Sequence, residues 1–333
     1  MECSKITIAR LRSGVNYKGP LHHIIDTFCE LYKMFIRRHP EYNYGYYNFG
    51  FNKAHRRKID DILDSDVIII PSENEFHYHI SNYIDPKNLE KSNKAIDEII
   101  PHLKDKHIIL LTSDRGDTID LYRKKTFKGA PVGKMSIIDE LDIPGNIHQM
   151  KYHFITENKS AKLFDTRNFD FIYWGTDKRR NSNNEISGDE RHKVLRQIQK
   201  DDKLKSIFIG RYVTVKRDMK IDTMYGILPY LTDSKYTLCF NWIDPKATTS
   251  RYHEALACGI IPMVWKDTYD VGKILVKDDW QRVFTIEELY DRIDSVNYEK
   301  KYKEIHETYK ENLMSKDEIY QIFESLLIKT LNA

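Results

Sequence analysis

The stretch Thr248-Thr-Ser-Arg-Tyr-His-Glu-Ala-Leu-Ala-Cys-Gly-Ile-Ile-Pro-Met-Val264 predicts a helix followed at once by a buried strand. Ser250 is a residue type that begins helices, and Gly259 is the residue type that ends them. The run Ile260–Trp265 is continuously apolar, as is typical of a strand covered on both faces of a parallel sheet. This order places the start of the helix at the carboxyl edge of the sheet, where open α/β proteins bind ligands.

The same alternation of strands and helices continues along the 333 residues and predicts the α/β fold class. Further strands are predicted at Lys5–Leu11, Asp66–Pro71, His107–Thr112, Phe169–Trp174, Ser206–Gly210 and Tyr236–Asn241. Further helices are predicted near Leu21–Arg37, Asn88–Ile100, Asp189–Gln199 and Asp222–Leu231, and over most of the chain from Ile286 onward. Residues 40–55 are rich in tyrosine and are predicted to be a long irregular insertion.

Two domains are expected, because 333 residues exceed what one hydrophobic core usually spans. The apolar signal fades over Glu157–Asn168, which is typical of a linker. We therefore predict a first domain of residues 1–160 and a second domain of residues 161–310. The helix of residues 311–333 is expected to pack back on the first domain.

Composition and charge exclude several classes of protein. The 53 basic and 50 acidic residues leave a net charge of +3, which is too even to indicate nucleic-acid binding without local clustering. The four cysteines are scattered, which is typical of thiols in a reducing compartment and not of a disulfide framework or zinc site. No apolar run approaches the length of a membrane span, so a cytoplasmic protein without a membrane partner is expected.

The predicted helix after Ser250 carries residues suited to a nucleotide. Arg251 and Glu254 stand three residues apart, so their side chains share one face. A helix start has unpaired backbone N–H groups and partial positive charge, and it can hold a pyrophosphate. The arginine would add donors for phosphate oxygens, and the glutamate can accept from ribose hydroxyls. The alternative is a surface ion pair, and the position at the carboxyl edge favours the nucleotide.

A family resemblance rests on three segments. Residues 251–262, Arg-x-x-Glu-Ala-Leu-Ala-Cys-Gly-x-x-Pro, resemble the donor-binding helix of GT-B glycosyltransferases, in which a glutamate holds the ribose. The strand Phe169–Trp174, with Gly175 and the basic loop behind it, resembles the start of the second domain in bacteriophage DNA β-glucosyltransferases. The segment His107-Ile-Ile-Leu-Leu-Thr-Ser-Asp-Arg115 resembles the part of those enzymes that ends in Thr, Asp and Arg and carries the catalytic base.

The resemblance implies a GT-B architecture, with two Rossmann-like domains facing across a cleft and a UDP-sugar as co-substrate. Gly175, Arg251 and Glu254 would bind the donor. The basic loop is longer here than in the family, so Lys178, Arg179 and Arg191 remain alternative ligands of the diphosphate. No tightly bound cofactor is implied. Acidic doublets do not follow apolar strands as a metal-binding Asp-x-Asp would, so no divalent metal is expected to be required.

The resemblance implies that Asp114 is the catalytic base of an inverting transfer. A carboxylate just beyond a buried strand points into the ligand crevice of an α/β sheet, where it can take a proton from an attacking hydroxyl. In this chain Ser113 stands between Thr112 and the aspartate, which displaces the aspartate by one residue. The alternative is an exposed turn residue, because Ser-Asp-Arg-Gly-Asp is also typical of turns. Asp117 is the substitute candidate.

Two basic clusters in the first half point to DNA as the acceptor. Residues 36–58 contain six Lys or Arg, two His and six Tyr or Phe, and residues 123–128 contain four more Lys or Arg. Basic side chains follow phosphates and aromatic rings stack on bases, although such clusters are often only solvated surface. The acceptor-binding candidates are Gly14, His22, Arg115, Arg123, Lys124 and Lys125.

The resemblance implies that a glucose, arabinose or similar sugar is transferred to 5-hydroxymethylcytosine flipped out of phage duplex DNA. A monomer in the cytoplasm of an infected bacterium is expected. Two alternatives remain open: a GT-B enzyme that acts on a glycan or small molecule, and a non-catalytic DNA-binding protein.

Overall fold

The structure is a computed structural model. It describes residues 4–10, 21–48, 62–70, 100–112, 133–139, 166–175, 185–209, 224–240, 250–266, 280–311 and 314–332. The chain divides into two compact units. The first contains residues 1–17, 21–147 and 316–333, and the second contains residues 18–20 and 148–315.

The first unit is built on a sheet of parallel strands. These are β1 (Lys5–Arg10), β2 (Asn43–Asn48), β3 (Val67–Ile70), β4 (His107–Thr112) and β5 (Met135–Asp139). They lie in the order β2-β1-β3-β4-β5, and every neighbouring pair is parallel. Helix α1 (Leu21–Arg38) follows β1. Because the strands are parallel, β1 and β4 end at the same edge, and the chain leaves that edge at Arg10 and Thr112.

The prediction of an irregular tyrosine-rich insertion is wrong for residues 43–48, which form β2. This strand pairs with β1, with Tyr44 opposite Ile6. The Tyr44 ring packs edge-on against Tyr32, with ring centroids 5.9 Å apart, and its hydroxyl donates to the His39 carbonyl at 2.5 Å. Tyrosine favours the half-buried surface of a strand, so its density here indicates a strand rather than a loop. Strand β5 was also missed.

The second unit contains a second parallel sheet. Its strands are β6 (Phe169–Trp174), β7 (Ser206–Ile209), β8 (Ser234–Cys239), β9 (Ile261–Trp265) and β10 (Arg282–Val283). The order is β10-β9-β8-β6-β7, again with parallel pairs throughout. The helices of this unit are α2 (Glu185–Asp201), α3 (Met224–Leu231), α4 (Ser250–Ala257), α5 (Ile286–Asp294) and α6 (Tyr298–Glu311).

Both sheets share one strand order, second-first-third-fourth-fifth when each is numbered from its own first strand. In this order the second strand lies on one side of the first strand, and the third, fourth and fifth strands lie on its other side. The resulting switch points lie between β1 and β3 and between β6 and β8, where doubly wound sheets bind ligands. The predicted α/β class is therefore confirmed.

The second sheet is buried on both faces. Phe171 and Tyr173 belong to one apolar cluster, whereas Ile172 and Trp174 belong to another. Alternate residues of a strand point to opposite faces, so β6 lies between two packed layers. This burial holds the carboxyl end of β6 rigidly.

Helix α4 ends in a Schellman motif. Ile260 N–H donates to the Ala255 carbonyl and Gly259 N–H to the Leu256 carbonyl, while Gly259 has a φ of +72°. The guanidinium of Arg167 lies so close that a Cβ at Gly259 would be 2.2 Å from its Nη2. Arg167 Nη1 also donates to the carbonyls of Ser234 and Gly259, at 2.6 and 2.8 Å. These contacts attach the end of α4 to the amino edge of the sheet.

The last helix, α7 (Lys316–Leu331), belongs to the first unit and packs on α1. Arg38 pairs with Asp317 at 2.8 Å, and its guanidinium lies 4.4 Å from the centre of the Tyr320 ring. His39 Nε2 contacts Glu324 at 2.6 Å, and its Nδ1 contacts Glu41 at 3.0 Å. Arg38 and His39, which were predicted as part of the first basic cluster, therefore bind acidic residues of the protein itself.

The contact between α1 and α7 is expected to depend on pH through His39. Burial lowers the pKa of His39, but hydrogen bonds and charges from Glu324 and Glu41 outweigh it, so the net pKa is raised above 6.5. Burial raises the pKa of Glu324, but Tyr320, His39 and Arg38 lower it further, to a net value below 4.5. The His39 contribution to stability is complete below pH 6.5 and is lost as pH rises through its raised pKa. The Glu324 contribution is present above 4.5 and is lost as pH falls through its lowered pKa.

His39→Asn should therefore lower the melting temperature more at about pH 6 than at about pH 8.5. Thermal unfolding of the unmodified protein and the variant at both pH values measures this difference. His102→Asn, at an exposed histidine of the same unit, is the matched control and should show no such dependence. An equal loss at both pH values for His39→Asn would contradict the prediction.

Cys239 and Cys258 are buried, and burial raises the pKa of the Cys239 thiol to about 12. In the part of the chain that the structure describes, no helix has the length and apolar character needed to cross a membrane.

Candidate functional site

The carboxyl end of β6 bends sharply at Gly175. This residue has a φ of +107°, which glycine tolerates and other residues rarely adopt, and its N–H donates to the Ile209 carbonyl at 3.1 Å. A Cβ at Gly175 would lie 2.7 Å from Nη2 of Arg251. Glycine at this position therefore provides both the turn and the space for the arginine.

Arg251 lies in the first turn of α4 and reaches across to β6. Its Nε and Nη2 both donate to the Trp174 carbonyl, at 3.1 and 2.7 Å. The centre of the guanidinium lies 4.6 Å from the Tyr173 ring centroid and 5.5 Å from that of Trp174. The positive charge is thus held over the end of the strand, beside the turn at Gly175.

Glu254 lies one turn further along α4 and is 3% exposed. The indole N–H of Trp174 donates to its Oε2 at 2.9 Å. Arg251 and Glu254 are therefore both bonded to one residue, the first through the Trp174 main chain and the second through its side chain. We call Trp174, Gly175, Arg251 and Glu254 the strand-end cluster.

The strand-end cluster lies where the topology places a ligand. It combines the end of β6, at the switch point between β6 and β8, with the start of the helix that precedes β9. The start of α4 carries backbone N–H groups with no partner inside the helix, which favours an anion there. A cation, a carboxylate and a helix start together suit a nucleotide, with its anionic phosphates and its sugar hydroxyls.

Three further basic residues were predicted as alternative ligands of the diphosphate, and the structure describes one of them, Arg191. Arg191 on α2 is 2% exposed. Its neighbour Glu190 forms an ion pair with Lys266, which directly follows β9 and has a φ of +52°. The other two alternatives, Lys178 and Arg179, lie outside the described residues.

Most acceptor-side predictions also fall outside the described residues. These are Asp114 with its substitute Asp117, and Gly14, Arg115, Arg123, Lys124 and Lys125. His22 lies in the first turn of α1, where the structure describes only its backbone. Two of these segments follow described strands: one begins after Arg10, the last residue of β1, and the other after Thr112, the last residue of β4. Both strands end at the same edge of the first sheet.

Within the described ranges, no three His, Cys, Asp or Glu side chains are grouped as a metal site would require. Independence from a divalent metal stays a prediction.

Trp174 was not predicted as a member of the site. Its indole N–H and the Glu254 carboxylate are 80 residues apart in the chain, so no local spacing relates them. The available signal was a tryptophan at the last position of a buried strand, because a buried indole N–H usually finds an acceptor.

Comparisons with known proteins agree with this topology. The sequence matches no protein-family model, and no curated protein matches it. A structure of the DNA-modifying enzyme β-glucosyltransferase, determined with and without its substrate uridine diphosphoglucose, matches with a TM-score of 0.62 at 15% identity. That match covers 99% of this chain and 100% of the other. The β-glucosyltransferase of phage T4, in complex with its substrate UDP-glucose, matches with a TM-score of 0.59 at 14% identity, over 96% and 98% of the two chains.

These matches extend over nearly the whole chain and therefore include both units. The predicted GT-B fold is confirmed, and the resemblance to phage DNA β-glucosyltransferases is confirmed at the level of the fold.

Proposed function

We propose that this protein is a glycosyltransferase that moves a sugar from a UDP-sugar to a hydroxymethylated pyrimidine, 5-hydroxymethylcytosine, in phage duplex DNA. The observation that carries the donor part of the proposal is the strand-end cluster, in which Arg251 and Glu254 both bond to Trp174 at the switch point of the second sheet. The shared fold with DNA-modifying enzymes that use UDP-glucose supports the same activity.

In the proposed reaction, Asp114 takes the proton of the base's hydroxymethyl group. The oxygen forms a bond to the anomeric carbon as the bond from that carbon to the diphosphate breaks, with inversion. UDP leaves with the bonding electrons, and Arg251, with Arg191, Lys178 or Arg179, balances its charge. Glu254 accepts hydrogen bonds from the ribose, and no divalent metal takes part. We further propose that the enzyme acts as a monomer in the cytoplasm of the infected host.

The decisive experiment is mass spectrometry of nucleosides from hydroxymethylcytosine-containing DNA, incubated with the protein and a panel of nucleotide sugars. We expect hydroxymethylcytosine to gain the mass of one sugar residue, and the same DNA with unmodified cytosine to remain unchanged. NMR of the product gives the anomer and tests inversion. UDP-sugar binding without any DNA product would favour a glycan or small-molecule acceptor. Tight DNA binding without nucleotide binding would favour a non-catalytic protein.

Glu254→Ala should weaken UDP binding by about 1–3 kcal/mol, because a hydrogen bond to a charged group is lost. Calorimetry with UDP measures this change. Arg251→Ala should weaken binding by a similar amount through the diphosphate. Glu299→Ala, at an exposed position on α6 of the same unit, is the control and should leave UDP affinity unchanged. Unchanged affinity in Glu254→Ala would remove Glu254 from the site.

A further inference from the structure

We infer that Trp174 is a positioning residue: its indole N–H orients the Glu254 carboxylate toward the ribose and so sets the preference for ribonucleotide over 2′-deoxyribonucleotide donors. This inference rests on the proposed function and extends it to a residue outside the Arg-x-x-Glu pattern.

The indole N–H of Trp174 points in a fixed direction. The main chain of Trp174 is paired with Ile209 of β7, and its carbonyl accepts two hydrogen bonds from Arg251. Its ring is 5% exposed and packs in an apolar cluster that includes Ile227 and Ala255. Main chain and ring are therefore both immobilised, and the 2.9 Å bond to Oε2 restricts the rotation of the Glu254 carboxylate.

A carboxylate at 3% exposure needs donors to remain ionised. The indole has a single N–H, which occupies one site on Oε2, while a carboxylate has about four acceptor sites. Acceptance from both the 2′ and 3′ hydroxyls of a ribose requires two of the other acceptor sites to face the sugar. A rotated carboxylate could still meet one hydroxyl but not both, so its orientation determines how strongly the 2′ hydroxyl contributes.

Trp174→Phe tests this role because it removes the N–H and keeps an aromatic ring in the apolar cluster. In the unmodified protein, we expect UDP to bind about tenfold more tightly than 2′-deoxy-UDP, because the analogue lacks the 2′ hydroxyl that donates to the Glu254 carboxylate. In Trp174→Phe this ratio should fall to about twofold, mainly through weaker UDP binding. Calorimetry with both nucleotides gives the ratio.

Two further variants separate positioning from packing. Trp265→Phe removes an indole N–H from the last residue of β9, in the other apolar cluster, and should keep the ratio of the unmodified protein. Glu254→Gln keeps an acceptor for the indole but should itself reduce the ratio. Because Trp174 acts through Glu254, adding Trp174→Phe to Glu254→Gln should change the ratio by less than about twofold.

An NMR measurement on the unmodified protein keeps the test independent of whether Trp174→Phe folds. The four tryptophans give four indole N–H resonances, and the one displaced by Glu254→Gln belongs to Trp174. UDP should shift this resonance more than 2′-deoxy-UDP does.

The outcomes are distinct. The inference is supported if Trp174→Phe lowers the ratio of UDP to 2′-deoxy-UDP affinity in the presence of Glu254 but not in the Glu254→Gln background. A larger shift of the indole resonance with UDP than with 2′-deoxy-UDP supports it as well. Equal weakening of both nucleotides in Trp174→Phe, or equal indole shifts, would overturn it while the proposed function stands. Failure of the unmodified protein to bind UDP would overturn both.

Discussion

Replacing Asp114 with asparagine should lower the rate of sugar transfer by about 100-fold or more, while UDP and DNA binding stay nearly unchanged. Asparagine keeps the size and shape of the side chain, but its amide cannot accept the proton of the attacking hydroxyl. Strand β4 ends at Thr112, and Asp114 follows it by two residues in the sequence. Single-turnover assays with saturating donor and DNA measure the rate.

Asp117→Asn is the matched control, since it removes the other carboxylate of the same segment. A large loss in Asp117→Asn, with near-normal turnover in Asp114→Asn, would move the role of base to Asp117. A small loss in both variants would remove the segment from the chemistry. UDP and DNA affinities measured on the same preparations separate a catalytic defect from a folding defect.

The elements that the sequence predicted best are buried parallel strands and the helix between two of them. Strands β4 and β6 were predicted with the bounds that the structure has, and helix α4 begins at Ser250 as predicted. Their signals are local: a continuous apolar run bounded by polar residues or glycine, and a helix with a capping residue and a terminal glycine. Strand β2 was missed because its tyrosines are amphipathic and its pairing with β1 is a long-range contact.

The candidate site was only partly predictable, for a similar reason. Local spacing was sufficient to place Arg251 and Glu254 on one face of a helix. It could not show that both bond to Trp174, because those contacts follow from the pairing of β6 with β8 and the return of the chain through α4. Charge clustering was also ambiguous: Arg38 and His39 belong to a basic segment, yet their contacts are with Asp317 and Glu324 of α7.

If the first unit binds a DNA backbone, affinity for duplex DNA should fall steeply with salt. Each neutralised phosphate contributes a log–log slope of about −0.9, so six to ten contacts would lower affinity by about 10³–10⁵ between 50 and 200 mM salt. Substitution of Arg123, Lys124 and Lys125 by alanine should flatten the slope by up to about 2.7, the product of three contacts and 0.9. Binding should weaken equally for all duplex sequences, because phosphate contacts carry no base information.

A matched control must remove the same charge from another surface. Lys300, Lys303 and Lys310 are exposed on α6 of the second unit, and their triple alanine variant also lowers the net charge by three. Filter binding from low to moderate salt should give this control the slope of the unmodified protein, because counterion release counts only the charges that meet phosphates. Equal flattening in both variants would indicate a general effect of net charge and not a binding surface at residues 123–125. A flat response in the unmodified protein would end the DNA proposal and leave a glycan or small-molecule acceptor, since the strand-end cluster concerns the donor alone.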